Sequence, residues 1–149
     1  MTVKIAFGAD HAGYEMKNAI LDYVTNELKC ETKDFGTFSG DSVDYPDFAF
    51  AASKAVADGE FDFGILVCGS GIGMEIVANK VKGIRAADCL TIQMANLSRR
   101  HNNANVLTLG SRLISLEVAE KITKTFLESE FEGGRHSRRV SKIDELTGL

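Results

Sequence analysis

A chain of 149 residues, 44% apolar and 26% charged, is long enough to bury one core without disulfide or metal staples. Its formal net charge of -4 removes any bulk attraction to nucleic acid or an anionic membrane, so an anionic ligand must be held by local Arg, His and backbone N–H groups. No run approaches a transmembrane span; three cysteines (Cys30, Cys68, Cys89) behind a start that reads as strand, not secretory leader, point to a reduced, cytosolic protein.

Val3 to Gly8 reads as the first strand, and Met16, Ile20, Tyr23, Val24 and Leu28 then recur at helical spacing. Cys30 to Phe35 is a more polar second strand, suited to a sheet edge. The only proline, Pro46, suits the first helical position of a segment running to about Ala57. Phe61 to Val67 is the third strand, followed by a helix from about Ile72 to Val81. Ile84 to Asp88 makes a fourth strand, Ile92 to Arg100 a helix, and Val106 to Leu109 a fifth strand. Glu117 to Leu127 is the last patterned helix, and from Glu130 onward the chain turns polar and leaves the compact pattern. This alternation predicts a single α/β domain, a three-layer α/β/α sandwich on a Rossmann-like open parallel sheet of five strands in the order 2-1-3-4-5. Strands one and three are then neighbours where strand order reverses, and open sheets bind ligands beyond the carboxyl ends of such strands.

Those two ends carry Asp10-His11-Ala12-Gly13 and Cys68-Gly69-Ser70-Gly71-Ile72-Gly73. The second is an apolar strand running into a thiol and then into a glycine turn that opens a helix. Backbone N–H groups there lack intrahelical partners and can hold a phosphate or a developing oxyanion. Gly69, Gly71 and Gly73 give G-x-G-x-G, not the dinucleotide fingerprint, and no Gly-Lys-Ser/Thr follows, so a nucleotide cofactor is not expected. Met74 stands six residues after the thiol, where a cysteine phosphatase needs arginine. Each group also has a plainer reading: Cys68 as a small buried hydrophobe, Asp10 as a helix cap, and Ser98 to Asn105 as a helix end with basic residues on the dipole. His101 in that last segment suits a general acid. Arg135 and Arg139, four apart, would face one way on a helix and make a phosphate clamp. No Cys-x-x-Cys or His-Glu-x-x-His occurs, so no metal is expected.

Together these segments resemble the ribose-5-phosphate isomerase B family, in the wider group that includes the galactose-6-phosphate isomerase subunits of the lactose pathway. The matching pieces are Gly8 to Gly13, Asp44-Tyr45-Pro46, Cys68 to Gly73, Ala78-Asn79-Lys80 and Gly83 to Ala86, then Ser98 to Asn102, Leu109 to Arg112 and Glu132 to His136 with Arg139-Val140. They cover nearly the whole chain. The resemblance implies interconversion of ribose 5-phosphate and ribulose 5-phosphate through a cis-enediolate, a step of the pentose phosphate pathway, with no metal or cofactor. It implies His101 as the acid for ring opening, with Asp10 handling the hydroxyl proton, Cys68 as the base at carbon and Ser70 as a relay. The N–H groups of Gly69, Gly71 and Gly73 would form the anion hole; His11, Arg135 and Arg139 would hold the phosphate, and Asn102 and Arg112 would complete the pocket. It further implies one isomerase domain over 1–149, with residues 130–149 packing on a partner subunit. The sites would be shared in a homodimer, or in a tetramer of two such pairs. One branch of the family uses a glutamate base at the position of Met74; Glu75 is one residue off and should point elsewhere. The rival readings are an isomerase of six-carbon phosphosugars and a non-catalytic phosphosugar-binding module in the same crevice.

Overall fold

The computed structural model describes residues 2–149, with the elements in βαβ succession. They are β1 (Lys4–Ala9), α1 (Tyr14–Asn26), β2 (Glu31–Asp34), α2 (Tyr45–Ala57), β3 (Phe63–Cys68), α3 (Ile72–Ala78), β4 (Ala86–Asp88), α4 (Ile92–Asn102), β5 (Val106–Gly110), α5 (Leu116–Glu128) and α6 (Arg135–Thr147). All strand pairs are parallel. Successive strand residues point to opposite faces and feed two cores. Ile5, Phe7, Ile65, Val67, Leu107 and Leu109 face α1, α4 and α5, whereas Ala6, Leu66, Cys68 and Val106 face α2 and α3. The result is the expected three-layer α/β/α sandwich.

Strand order is the one correction to that architecture. The sheet runs β2-β1-β3-β5-β4, not 2-1-3-4-5. Every residue of β5 is buried, whereas β4 is three half-buried residues, Ala86–Asp88. The longer, fully buried strand takes the interior and the short one the rim. The rim is closed by side chains of the α3 segment: Asn79 donates Nδ2–H to Ala86 O (3.0 Å) and accepts Ala86 N–H at Oδ1 (2.8 Å), and Glu75 Oε1 accepts Asp88 N–H (3.0 Å). Natural sheets protect their edges in this way. The β1/β3 neighbourhood survives the correction, with Ala9 in register with Val67.

The second difference is α6. The polar tail does not leave the fold; it forms a 13-residue helix that buries His136 and touches α4. His136, Val140, Ile143 and Thr147 recur at helical spacing, and of these His136 alone is buried. A cavity of ≈ 570 Å³ opens between β4, α3, α4 and α6, lined by Ile84, Met94, Leu97 and Ile143 among others. No helix among the described residues is long and apolar enough to cross a membrane.

Candidate active site

The carboxyl ends of β1 and β3 meet as expected. Asp10 N–H donates to Val67 O (3.3 Å), which sets the aspartate beside the end of the cysteine strand. Asp10 is buried and its Oδ1 accepts Gly13 N–H at 3.0 Å, while Gly13 itself is the residue that caps α1. Asp10 is therefore not the cap residue of α1, and its Oδ2 makes no hydrogen bond among the described residues. His11 accepts Val43 N–H at Nδ1 (3.2 Å), which leaves Nε2 as the ring nitrogen available to a ligand.

Cys68 ends β3 and points into the α2/α3 layer at 6% exposure. Its Sγ accepts Gly71 N–H at 3.1 Å, a donor aimed at sulfur from the turn. Gly71 has φ +79°, a left-handed conformation, and a Cβ on it would strike Asp88 Oδ1, so only glycine can make this turn. Ser70 Oγ accepts Ile72 N–H (3.2 Å) at the same helix start. Arg112 lies over Gly69, with Nη1 2.9 Å from where a Cβ would stand, and Ser111 and Arg112 donate their amides to Cys68 O and Gly69 O (2.9 and 3.0 Å). Asp10, His11, Cys68, Gly69, Ser70, Gly71, Gly73 and Arg112 thus form one cluster.

The three thiols differ. Burial pushes Cys89 up to about 12 and also raises Cys30, which keeps both protonated near neutrality. Cys68 alone faces a backbone N–H of the glycine turn.

His101, Asn102, Arg135 and Arg139 form a second cluster. Helix α4 leaves the carboxyl end of β4 and returns to the amino end of β5, so its last turn sits at the opposite end of the sheet from Cys68. Six strand residues at about 3.3 Å each separate the two ends by about 17 Å. Arg99 anchors that last turn: it is buried, donates to Ala104 O (2.6 Å) and Asn103 Oδ1 (3.1 Å), and lies over the Phe63 ring. The neighbouring Arg100 and His101 are thereby turned outward, toward Glu132. Arg135 and Arg139 occupy the exposed first turns of α6.

Two of the three histidines converge here. His101 stacks on His136 with centroids 4.3 Å apart and planes 12° from parallel. Glu132 spans them, Oε1 at 3.9 Å from His101 Nε2 and Oε2 at 3.5 Å from His136 Nε2, and also pairs with Arg100. These three side chains are close enough to be tested as metal ligands. Parallel rings direct their in-plane lone pairs side by side rather than at one point, and Arg100, Arg135 and Arg139 surround them; the arrangement does not suit a cation.

Sequence reasoning missed two participants, Tyr45 and Asp88. Tyr45 lays its ring against Gly73, leaving no room for a Cβ there; a tyrosine directly before the helix proline was the available signal. Asp88 backs Gly71 and accepts Thr108 Oγ1–H at 2.9 Å; burial raises its carboxyl, with Thr108 opposing and Glu75 adding to the shift. Glu75 points away from the sulfur, as expected, and serves the rim of the sheet.

An open parallel sheet with an Asp-His corner and a thiol-glycine turn side by side at its switch point defines an α/β protein of the kind that takes its ligands beyond the carboxyl ends of its strands. Its sequence narrows the class further. The chain belongs to the Ribose/Galactose Isomerase family, whose model matches residues 5–143. It is 48% identical over 143 residues to ribose-5-phosphate isomerase B of Escherichia coli, covering 96% of this chain and 95% of that one. It is 45% identical over 141 residues to the D-erythrulose-4-phosphate isomerase of Pectobacterium atrosepticum (95% and 93% covered). Its fold matches ribose-5-phosphate isomerase B of Mycoplasma genitalium, solved with bound ribulose 5-phosphate, at a TM-score of 0.95 and 40% identity, covering 99% and 98% of the chains.

Proposed function

We propose that the protein is an aldose–ketose isomerase that interconverts ribose 5-phosphate and ribulose 5-phosphate, with Cys68 as the base. The observation that carries this reading is the Gly71 N–H set 3.1 Å from Cys68 Sγ on the strand beside Asp10. Cys68 takes the proton from C2 of the open aldose and returns it to C1, while Ser70 relays a proton between O1 and O2. The N–H groups of Gly69 and Gly73 face the enediolate oxygens, donors already in place when charge develops, while Gly71 N–H serves the sulfur. His101 opens the ring as acid and Asp10 takes the hydroxyl proton. His11, Arg135 and Arg139 hold the phosphate; Asn102 and Arg112 close the pocket. The chemistry needs no metal or cofactor. Two dissociable thiols held protonated and a third facing the site suit a reducing, cytosolic setting.

The separation of the two clusters supports a homodimer with shared sites. One copy's His101, Asn102, Arg135 and Arg139 meet the partner's thiol and Asp-His corner, and α6 docks against the partner. Ile72 and Ile76 of α3 and Leu90, Ile92, Met94 and Leu97 at α4 are exposed beside the cavity, an apolar surface that such a partner would cover.

Incubating the enzyme with ribose 5-phosphate in D2O tests the reaction. Solvent deuterium is expected at C1 or C2 as isomerisation proceeds; tight binding without exchange would leave only a phosphosugar-binding module. Running allose 6-phosphate beside it measures the preference for sugar length. Arg139→Ala is expected to raise KM about tenfold to a hundredfold with kcat within a few-fold, the cost of one charged hydrogen bond to phosphate. An unaltered KM would remove Arg139 from the phosphate site.

A further inference from the structure

His136 and Glu132 have no part in the scheme above, yet their placement is costly. His136 is 7% exposed, and its Nε2 is buried without a hydrogen bond among the described residues. A buried polar nitrogen in that state demands a compensating role. The nitrogen looks at Glu132 Oε2 across 3.5 Å, and the other oxygen of the same carboxylate looks at His101 Nε2 across 3.9 Å. The His136 ring forms the wall on which His101 rests. Glu132 is held from three sides: its N–H donates to Arg100 O (3.0 Å), its carboxylate pairs with Arg100, and α6 begins three residues on.

We infer that Glu132 and His136 are positioning residues for the ring-opening acid, and serve that half of the reaction alone. This rests on the reading of His101 as the acid. His101 sits at a helix end, 37% exposed, on a side chain with two free torsions. The stacked ring fixes its plane, and the carboxylate fixes the direction of its Nε2. The wall must itself stay uncharged, because two stacked imidazolium rings would repel. Burial lowers the proton affinity of His136, and His101, Arg135 and Arg139 lower it further, with Glu132 alone opposing. The charged groups facing the pair are therefore Arg100 on α4, Glu132 before α6, and Arg135 and Arg139 on α6. In this arrangement His136 is the ring held neutral.

Sugar chemistry separates the two halves. Ribose 5-phosphate is mostly a closed ring and must be opened before its C2 proton can leave. Ribulose 5-phosphate cannot close a five-membered ring, because the hydroxyl that would do so carries the phosphate. Exchange of its C1 proton with solvent thus reports the thiol half of the site without the acid half.

The full-length enzyme, Glu132→Gln, His136→Phe and His101→Asn are compared by two assays: consumption of ribose 5-phosphate, and deuterium uptake at C1 of ribulose 5-phosphate in D2O. Glu132→Gln and His136→Phe are expected to consume ribose 5-phosphate about 10- to 100-fold more slowly, the range that a misplaced reacting group costs. Their deuterium uptake should stay within about twofold of the parent, a split that general loss of structure would not produce. Equal loss in both assays by Glu132→Gln, or undiminished ribose 5-phosphate turnover in both variants, overturns the inference. His101→Asn reads the underlying assignment separately: full ribose 5-phosphate turnover in that variant removes His101 as the acid, and this inference with it.

Discussion

Replacing Cys68 by alanine is expected to lower kcat by about 10³- to 10⁴-fold and leave substrate affinity within about twofold. A positioned base contributes that range to proton transfer, and a group that acts only in the transition state lowers kcat without raising KM. No other thiol can stand in for it: burial keeps Cys89, shifted up to about 12, and Cys30 protonated. The glycine turn does not depend on the sulfur, because Gly71 holds its left-handed shape against Asp88 and Cys68 O is tied to Ser111 N–H at 2.9 Å. The anion hole should therefore persist in the variant, and calorimetric titration with ribose 5-phosphate should read nearly parental affinity. Turnover above a tenth of the parent's would exclude Cys68 as the base.

Mixing two dead enzymes is expected to restore activity. Cys68→Ala lacks the base, and His101→Asn lacks the acid. In a homodimer whose sites each take the thiol from one chain and the histidine from the other, a mixed dimer has one site with both defects and one intact. Equal amounts of the two variants, unfolded and refolded together, give about half mixed dimers by chance, so about a quarter of parental turnover should return. If each chain built its own site, mixing would restore nothing. The forecast rests on topology: α4 returns its C-terminal turn to the amino end of β5, whereas Cys68 closes the carboxyl end of β3.

Much of this was legible in the sequence because short apolar runs and amphipathic stretches alternate without ambiguity. The β1/β3 crevice needed only that alternation and the two motifs that end those strands. Strand order was not legible. Ile84 to Asp88 and Val106 to Leu109 both read as short strands, although Arg85 and Asp88 make the former more polar; at the rim, Asn79 and Glu75, just after and on α3, complete its hydrogen bonds. Helix α6 was hidden by charge, since Arg135, Arg138, Arg139 and Lys142 mask a spacing that His136, Val140 and Ile143 reveal. The histidine stack was hidden for a different reason. His101 and His136 lie on separate elements, and only the packing of α6 on α4 brings their rings together.

The amide and carboxamide clasp along β4 also governs how copies can gather. Ala86 N–H and C=O and Asp88 N–H are already taken by Asn79 and Glu75, so a neighbour finds most of the ladder there occupied. Copies that approach this border must meet helix to helix, through side chains.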